Sequence, residues 1–204
     1  KTGHPFANYW MHNGFVTMGE SEEKMSKSLG NFVMVHDILK EVDAQVLRFL
    51  LASSHYRRPI KFSERALEEA RINLDKIRVA YKNARYRLEN AEAILSTDQA
   101  DIAVFMELEA NFVKEMDDDF QADNALSVIY HFVKELNMYS ERETVSQGVL
   151  DQALEVLEQM MLVFGITLQA EGMLDDDIQT LIDERIQARK DKDFARSDEI
   201  RDYL

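Results

Sequence analysis

The chain has 204 residues, 46% of them apolar, no cysteine and a formal net charge of -14. Without cysteine there is no disulfide framework and no thiolate metal site within it, and its longest apolar runs are far too short to cross a bilayer. The acidic average speaks against a nucleic-acid binder, but its distribution does not. Residues 1–90 carry 15 Lys/Arg against 11 Asp/Glu, a net +4, whereas residues 91–204 carry 9 against 27, a net -18. A polyanion is therefore expected to meet mainly the first part.

In chain order, Lys1-Thr2-Gly3-His4-Pro5 reads as a helix end followed by a turn, with no initiator methionine, and no secretion signal opens the chain. A cytoplasmic location is expected. Residues 8–16 mix aromatic and β-branched side chains and predict a short strand with a turn at Asn13-Gly14. A lone strand needs edge partners that this chain hardly supplies, which points to the carboxy-terminal portion of a larger enzyme or to a small αβ unit. Next comes Lys24-Met25-Ser26-Lys27-Ser28, continued by Leu29-Gly30-Asn31.

Short helices are predicted over 35–40 and 44–53, the second turning Val46, Leu47, Leu50 and Leu51 inward. Pro59 ends this region and biases Arg58 away from helical angles. Ser63 is a good N-cap for a long helix to about residue 90, with Leu67, Ala70, Leu74, Ile77, Tyr81, Ala84 and Leu88 on one face. Three more helices follow. The first, over 98–116, shows Ile102, Phe105, Glu109 and Phe112 in a partly clean period; the second, over 121–139, buries Ala125, Ile129, Phe132, Val133 and Leu136. The third, over 146–163, buries Leu150, Leu154, Leu157 and Met161. Four such helices with short loops make an antiparallel bundle, so the fold class is mainly α. A tail follows, with Leu174, Ile178, Leu181, Ile182 and Ile186 on one helix and a further helix from 194 to 204.

The chemistry concentrates in the Lys/Ser segment. Lys24 and Lys27 stay charged at neutral pH and can neutralise a polyphosphate as charge develops on its leaving group. Ser26 and Ser28 add donors beside them, either to phosphate or to the loop itself. His12 can contact a nucleotide or cap the adjacent turn. Arg57 and Arg58 follow His55 and Tyr56, a grouping suited to a phosphodiester backbone, the alternative being surface arginines beside a core tyrosine. Arg71, Arg78 and Arg85 repeat every seven residues, as a second backbone track or as partners for neighbouring helix acids. The five histidines are scattered and predict no metal site. Asp117-Asp118-Asp119 lacks the remaining pattern of a calcium loop and reads as a turn.

Together these segments resemble one family. Residues 24–31 match the second signature of class I aminoacyl-tRNA synthetases. The stretches Asn8-Tyr9-Trp10-Met11-His12-Asn13-Gly14-Phe15-Val16, Val46 to Arg57 and Phe194 to Arg201 are similar to cysteinyl-tRNA synthetase of bacterial type. The resemblance implies a cysteine–tRNA ligase that forms cysteinyl-adenylate from ATP and L-cysteine, then charges tRNA(Cys). It implies catalytic roles for Lys24 and Lys27, with Lys27 contacting ATP, and Mg2+ accompanying that substrate. It further implies residues 1–32 as the end of a catalytic domain, 33–61 as a stem-contact region, 62–165 as the bundle, and 166–204 as the start of an anticodon-binding region. The family's first signature and the zinc ligands that read the substrate thiol are not found in these 204 residues. The expectation is a monomeric parent enzyme that binds Zn2+, of which this portion is inactive in isolation; the alternatives are an inert tRNA-binding module and a helical oligomerisation domain.

Overall fold

The computed structural model describes residues 3, 5–19, 23–24, 33–168, 184 and 196. The chain divides into two compact units, Lys1–Leu168 and Gln169–Leu204. In the second unit Glu184 and Arg196 are both helical and pair at 3.0 Å. The remainder of the two tail helices expected there lies outside the described residues.

The first unit opens on a small sheet. Strand β1 (Val16–Met18) pairs antiparallel with β2 (Glu23–Lys24) and parallel with β3 (Ile60–Phe62), giving the order β2-β1-β3. Two expectations are corrected here. The strand is three residues long and begins where the predicted one ended, because the exposed run before it, Phe6, Tyr9, Trp10 and Met11, has no ladder partner among the described residues. The chain also supplies the edge partners it was expected to lack. Strand β3 was missed because it is only three residues long and mixes Lys61 with apolar neighbours, leaving too little period to read.

Helices α1 (Val35–Ile38) and α2 (Ala44–Ala52) lie between β2 and β3. Asp43 caps α2 by accepting the Gln45 N–H at 2.8 Å. Val46 and Leu47 are buried as expected, but Leu51 is 39% exposed and Phe49 takes the inward position. Ser63 then accepts the Ala66 N–H at 3.1 Å and starts α3 (Glu64–Leu88), a contact worth about 1 kcal/mol.

Helices α4 (Asp98–Asp117), α5 (Ala122–Ser140) and α6 (Gln147–Val163) complete the bundle. Arg87, near the end of α3, donates to the carbonyls of Ser140 and Arg142 just past α5, so α3 and α5 finish at one pole. At that same pole Ser146, the N-cap of α6, donates to Asp98 at the start of α4 at 2.8 Å. The helices therefore run up-down-up-down, with α4 packed on α5 and α6, and α3 on α2, α5 and α6. Leu74, Ile77, Ile129, Phe132, Leu136, Leu150, Leu157 and Met161 are fully buried and form its centre. Phe105 and Phe132 meet at 4.9 Å, a tilted pair that adds roughly 0.5–1.5 kcal/mol beyond burial. On α4 the inward position is Leu108; Glu109 was a false reading, one residue out of phase. Beyond α6 the chain folds back on the core through Ile166 and Leu168, and the Thr167 N–H donates to the Gln45 side chain at 2.8 Å.

Candidate nucleic-acid interface

The first residue of the signature segment, Lys24, lies in the sheet. Lys24 closes β2 opposite Thr17 of β1, so the backbone entering the segment is fixed by a strand ladder. Ser26, Lys27 and Ser28 lie outside the described residues. His12 is exposed, with its ring stacked on Trp10 at 6.4 Å and Trp10 in turn stacked on Phe6 at 5.7 Å. Exposed aromatic rings of this kind can stack on bases.

The turn after α2 is more constrained than its polar sequence suggests. Gly14 donates its N–H to the Tyr56 carbonyl at 2.7 Å, and Ile60 donates to Phe15 at 2.8 Å. This approach needs glycine: a Cβ on residue 14 would lie 2.1 Å from the Arg58 carbonyl oxygen. On its other side the turn is held by the corner between α4 and α5. Arg57 donates to both oxygens of Asp119, at 2.8 and 3.1 Å, and the Tyr56 hydroxyl donates to the same carboxylate at 2.7 Å. His55 Nε2 lies 3.7 Å from it, and Arg58 pairs with Asp123 at 2.7 Å. The Arg57 guanidinium also lies over the Tyr56 ring at 5.1 Å.

Electrostatics follow from these contacts. The hydrogen bond from Arg57, then that from Tyr56, holds the Asp119 carboxyl below its ordinary value. The same carboxylate raises the Arg57 guanidinium and the Tyr56 phenol, in each case chiefly through its hydrogen bond. These charges are exposed, so salt screens them.

Along α3 the three heptad-spaced arginines differ. Arg71 forks onto Glu68 at 2.6 and 2.9 Å and reaches Asp75 at 3.6 Å. Arg78 lies between Asp75 and Asp43, the α2 cap. Arg85 leans over the Tyr81 ring at 6.0 Å. The reading of this row as helix pairing thus describes Arg71 and Arg78 as they stand. Sequence reasoning missed Asp119 and Asp123 as partners of the basic turn, since 62 and 65 residues separate the pairs and no local pattern links them. No group of three or more His, Asp or Glu side chains suited to a metal occurs among the described residues.

Comparison with known proteins sets this geometry in context. Residues 1–72 match the model of the class I (C) tRNA synthetase catalytic domain, and residues 111–169 match that of the DALR domain. Over 204 residues the chain is 51% identical to a cysteine–tRNA ligase of Enterococcus faecalis. The chain is thus similar to cysteine–tRNA ligases along its whole length. It is 50% identical to the ligase of Ligilactobacillus salivarius and 46% identical to that of Geobacillus thermodenitrificans. Each alignment covers the whole chain but only 43% of the relative, so the chain spans less than half the length of these ligases. Among solved structures it is similar to the LeuRS–tRNA–LeuAMS ternary complex of Agrobacterium radiobacter, with a TM-score of 0.56 at 22% identity over 76% of this chain and 22% of that one. At that identity the likeness is one of fold.

The two matched segments meet at the Gln45–Thr167 hydrogen bond and, through ion pairs, at the basic turn. Gly14 and residues 55–58 fall in the first, Asp119 and Asp123 in the second.

Proposed function

We propose that the protein carrying this chain is a cysteine–tRNA ligase, joining L-cysteine to tRNA(Cys) at the expense of ATP and releasing AMP and pyrophosphate. The observation that carries this reading is identity of about half over the full chain to ligases of that activity. The residues fit the chemistry. Lys24 and Lys27 supply the positive charge that the departing pyrophosphate needs, an interaction stronger in the transition state than with ground-state ATP. Ser26 and Ser28 hydrogen-bond the same phosphates, and His12, carried on the ring stack, faces the nucleotide. Mg2+ accompanies ATP as part of that substrate.

The tRNA backbone is met by Arg57, Arg58, Arg71, Arg78 and Arg85, on the net-positive side of the chain. Residues 1–32 act as the end of the catalytic domain and 33–61 as the stem contact; 62–165 form the bundle and 166–204 lead to the anticodon. The family's Zn2+ finds no matching donor set here, since the chain has no cysteine and its described acids and histidines do not cluster. No step on these residues runs through zinc.

The test is cysteine-dependent exchange of pyrophosphate into ATP. The full-length protein should show it, and Lys27→Ala should reduce it on the order of a hundredfold, as for one lost transition-state donor. The 204 residues in isolation should show none, because they lack most of the ligase length; turnover by them would refute this assignment of roles. Exchange driven by another amino acid in preference to cysteine would refute the substrate.

A further inference from the structure

Between the segment that resembles the catalytic domain and the one that resembles the DALR domain, the described ion pairs converge on one turn, residues 55–58, apart from the neutral Gln45–Thr167 contact. One face of the turn is pressed on Gly14, with no room even for a methyl group. The other face is gripped by Asp119, which receives three hydrogen bonds from Tyr56 and Arg57, and by Asp123, which pairs with Arg58. A two-pronged guanidinium–carboxylate contact fixes direction as well as distance, unlike a single ammonium pair.

The backbone behind Asp119 is also unusual. Asp119 and Phe120 have φ of 57° and 54°, two successive side-chain-bearing residues in the left-handed region. Such conformations persist where the surroundings over-determine them, and here they turn the carboxylate out of the α4–α5 corner toward the basic turn. Phe120 is 54% exposed, so burial of its ring does not account for the shape. The corner is built to present Asp119.

We propose that Asp119 is a positioning residue for tRNA charging, a clamp that sets the bundle's attitude to the sheet carrying Lys24. This rests on the ligase reading given above. Asp119 touches neither nucleotide nor amino acid in this scheme. It acts through Tyr56 and Arg57, so that a tRNA lying along the arginines of the turn and of α3 delivers its end to the sheet side. Loss of the clamp should therefore weaken productive tRNA engagement while leaving adenylate formation intact.

Asp119→Asn suits the test, because asparagine tolerates the left-handed backbone and keeps the shape while removing the charge. In the 204-residue chain, the amides of Gly14, Arg58 and Ile60 should exchange with solvent on the order of tenfold faster, and those of Leu74 and Phe132 at unchanged rates. In the full-length enzyme the KM for tRNA in aminoacylation should rise on the order of tenfold, with cysteine-dependent pyrophosphate exchange within twofold of the parent. Tyr56→Phe, which removes one of the three bonds, should move both readouts in the same direction by less. Unchanged amide exchange in Asp119→Asn overturns the clamp. Equal losses in pyrophosphate exchange and aminoacylation overturn the positioning role and leave only a structural one. Absence of cysteine-dependent exchange in the unsubstituted full-length enzyme refutes the ligase reading instead, and the amide rates then decide the clamp.

Discussion

Gly14→Ala tests whether the basic turn depends on a close backbone approach. Gly14 does not occupy the left-handed region, so the penalty is steric. The new methyl carbon would lie 2.1 Å from the Arg58 carbonyl oxygen, 2.3 Å from its carbon and 2.7 Å from the Pro59 nitrogen. Ordinary contact lies near 3.5–4.0 Å, so the two segments have to part by roughly 1 Å or more. All three obstacles are backbone atoms, which no rotamer change can move aside. Parting them stretches the Gly14–Tyr56 and Phe15–Ile60 hydrogen bonds, now 2.7 and 2.8 Å. Overpacking of this kind costs about 1–3 kcal/mol.

The cost should remain local, because among the described residues the main core cluster begins at Val46. Amide exchange followed by NMR should show Gly19 and Ile60 losing roughly tenfold to a hundredfold in protection, while Leu74 and Phe132 keep theirs. Gly19→Ala is the control: its φ is +63° and nothing lies within 4 Å of the added carbon, so only backbone strain of about 1–2 kcal/mol applies. Retained protection at Ile60 in Gly14→Ala would refute the steric argument. Loss of bundle protection together with the sheet would refute the separation of the two.

Two further outcomes follow from the same contacts. Phe132→Ala empties a site with no solvent exposure beside Phe105, so it should cost about 3–5 kcal/mol and lower the thermal midpoint by more than about 10 °C in a circular-dichroism melt. Asp119 faces His55, Tyr56 and Arg57, with the Arg58–Asp123 pair alongside, and its folded-state pKa lies below the ordinary 3.8. A depressed carboxyl stabilises the fold fully above the unfolded value, and that contribution is lost as pH falls below 3.8 through the folded value. The Arg57 Nε resonance should report a transition in that acid window, absent in Asp119→Asn; a midpoint at or above 3.8 would contradict the assignment.

How much of this was legible in the sequence depends on the range of the interaction that fixes each part. The long helices were readable because their signals are local. Ser63 caps α3 three residues before its partner Ala66, and the apolar face repeats every three or four residues to Leu88. Where a helix departs from an even period, reading slipped by one: Glu109 was counted on the face that Leu108 occupies, and Leu51 replaced Phe49. The sheet was misread because three-residue strands carry almost no period, and β3 owes its place to pairing with a strand 44 residues earlier in register. The basic turn was visible as composition, but its partners were not. Asp119 and Asp123 reach it only after α3, α4 and their connections have brought the far end of the bundle back.

That last point changes what the charge distribution means. Net charge by segment treats each arginine as available to a polyanion, yet Arg57, Arg58, Arg71 and Arg78 already face carboxylates. A phosphate arriving at any of them exchanges one anionic partner for another, so its gain is the difference between two screened contacts. The positive excess of residues 1–90 therefore overstates the attraction, and the acids of residues 91–204 are partly its counter-charge and not a separate surface. What the pairing provides in exchange is direction. A guanidinium held by two bonds to Asp119 and stacked over Tyr56 has fewer orientations than a solvated one, so less freedom remains to be lost when it meets a backbone phosphate. The same residues that reduce the pull on a polyanion fix where that pull acts.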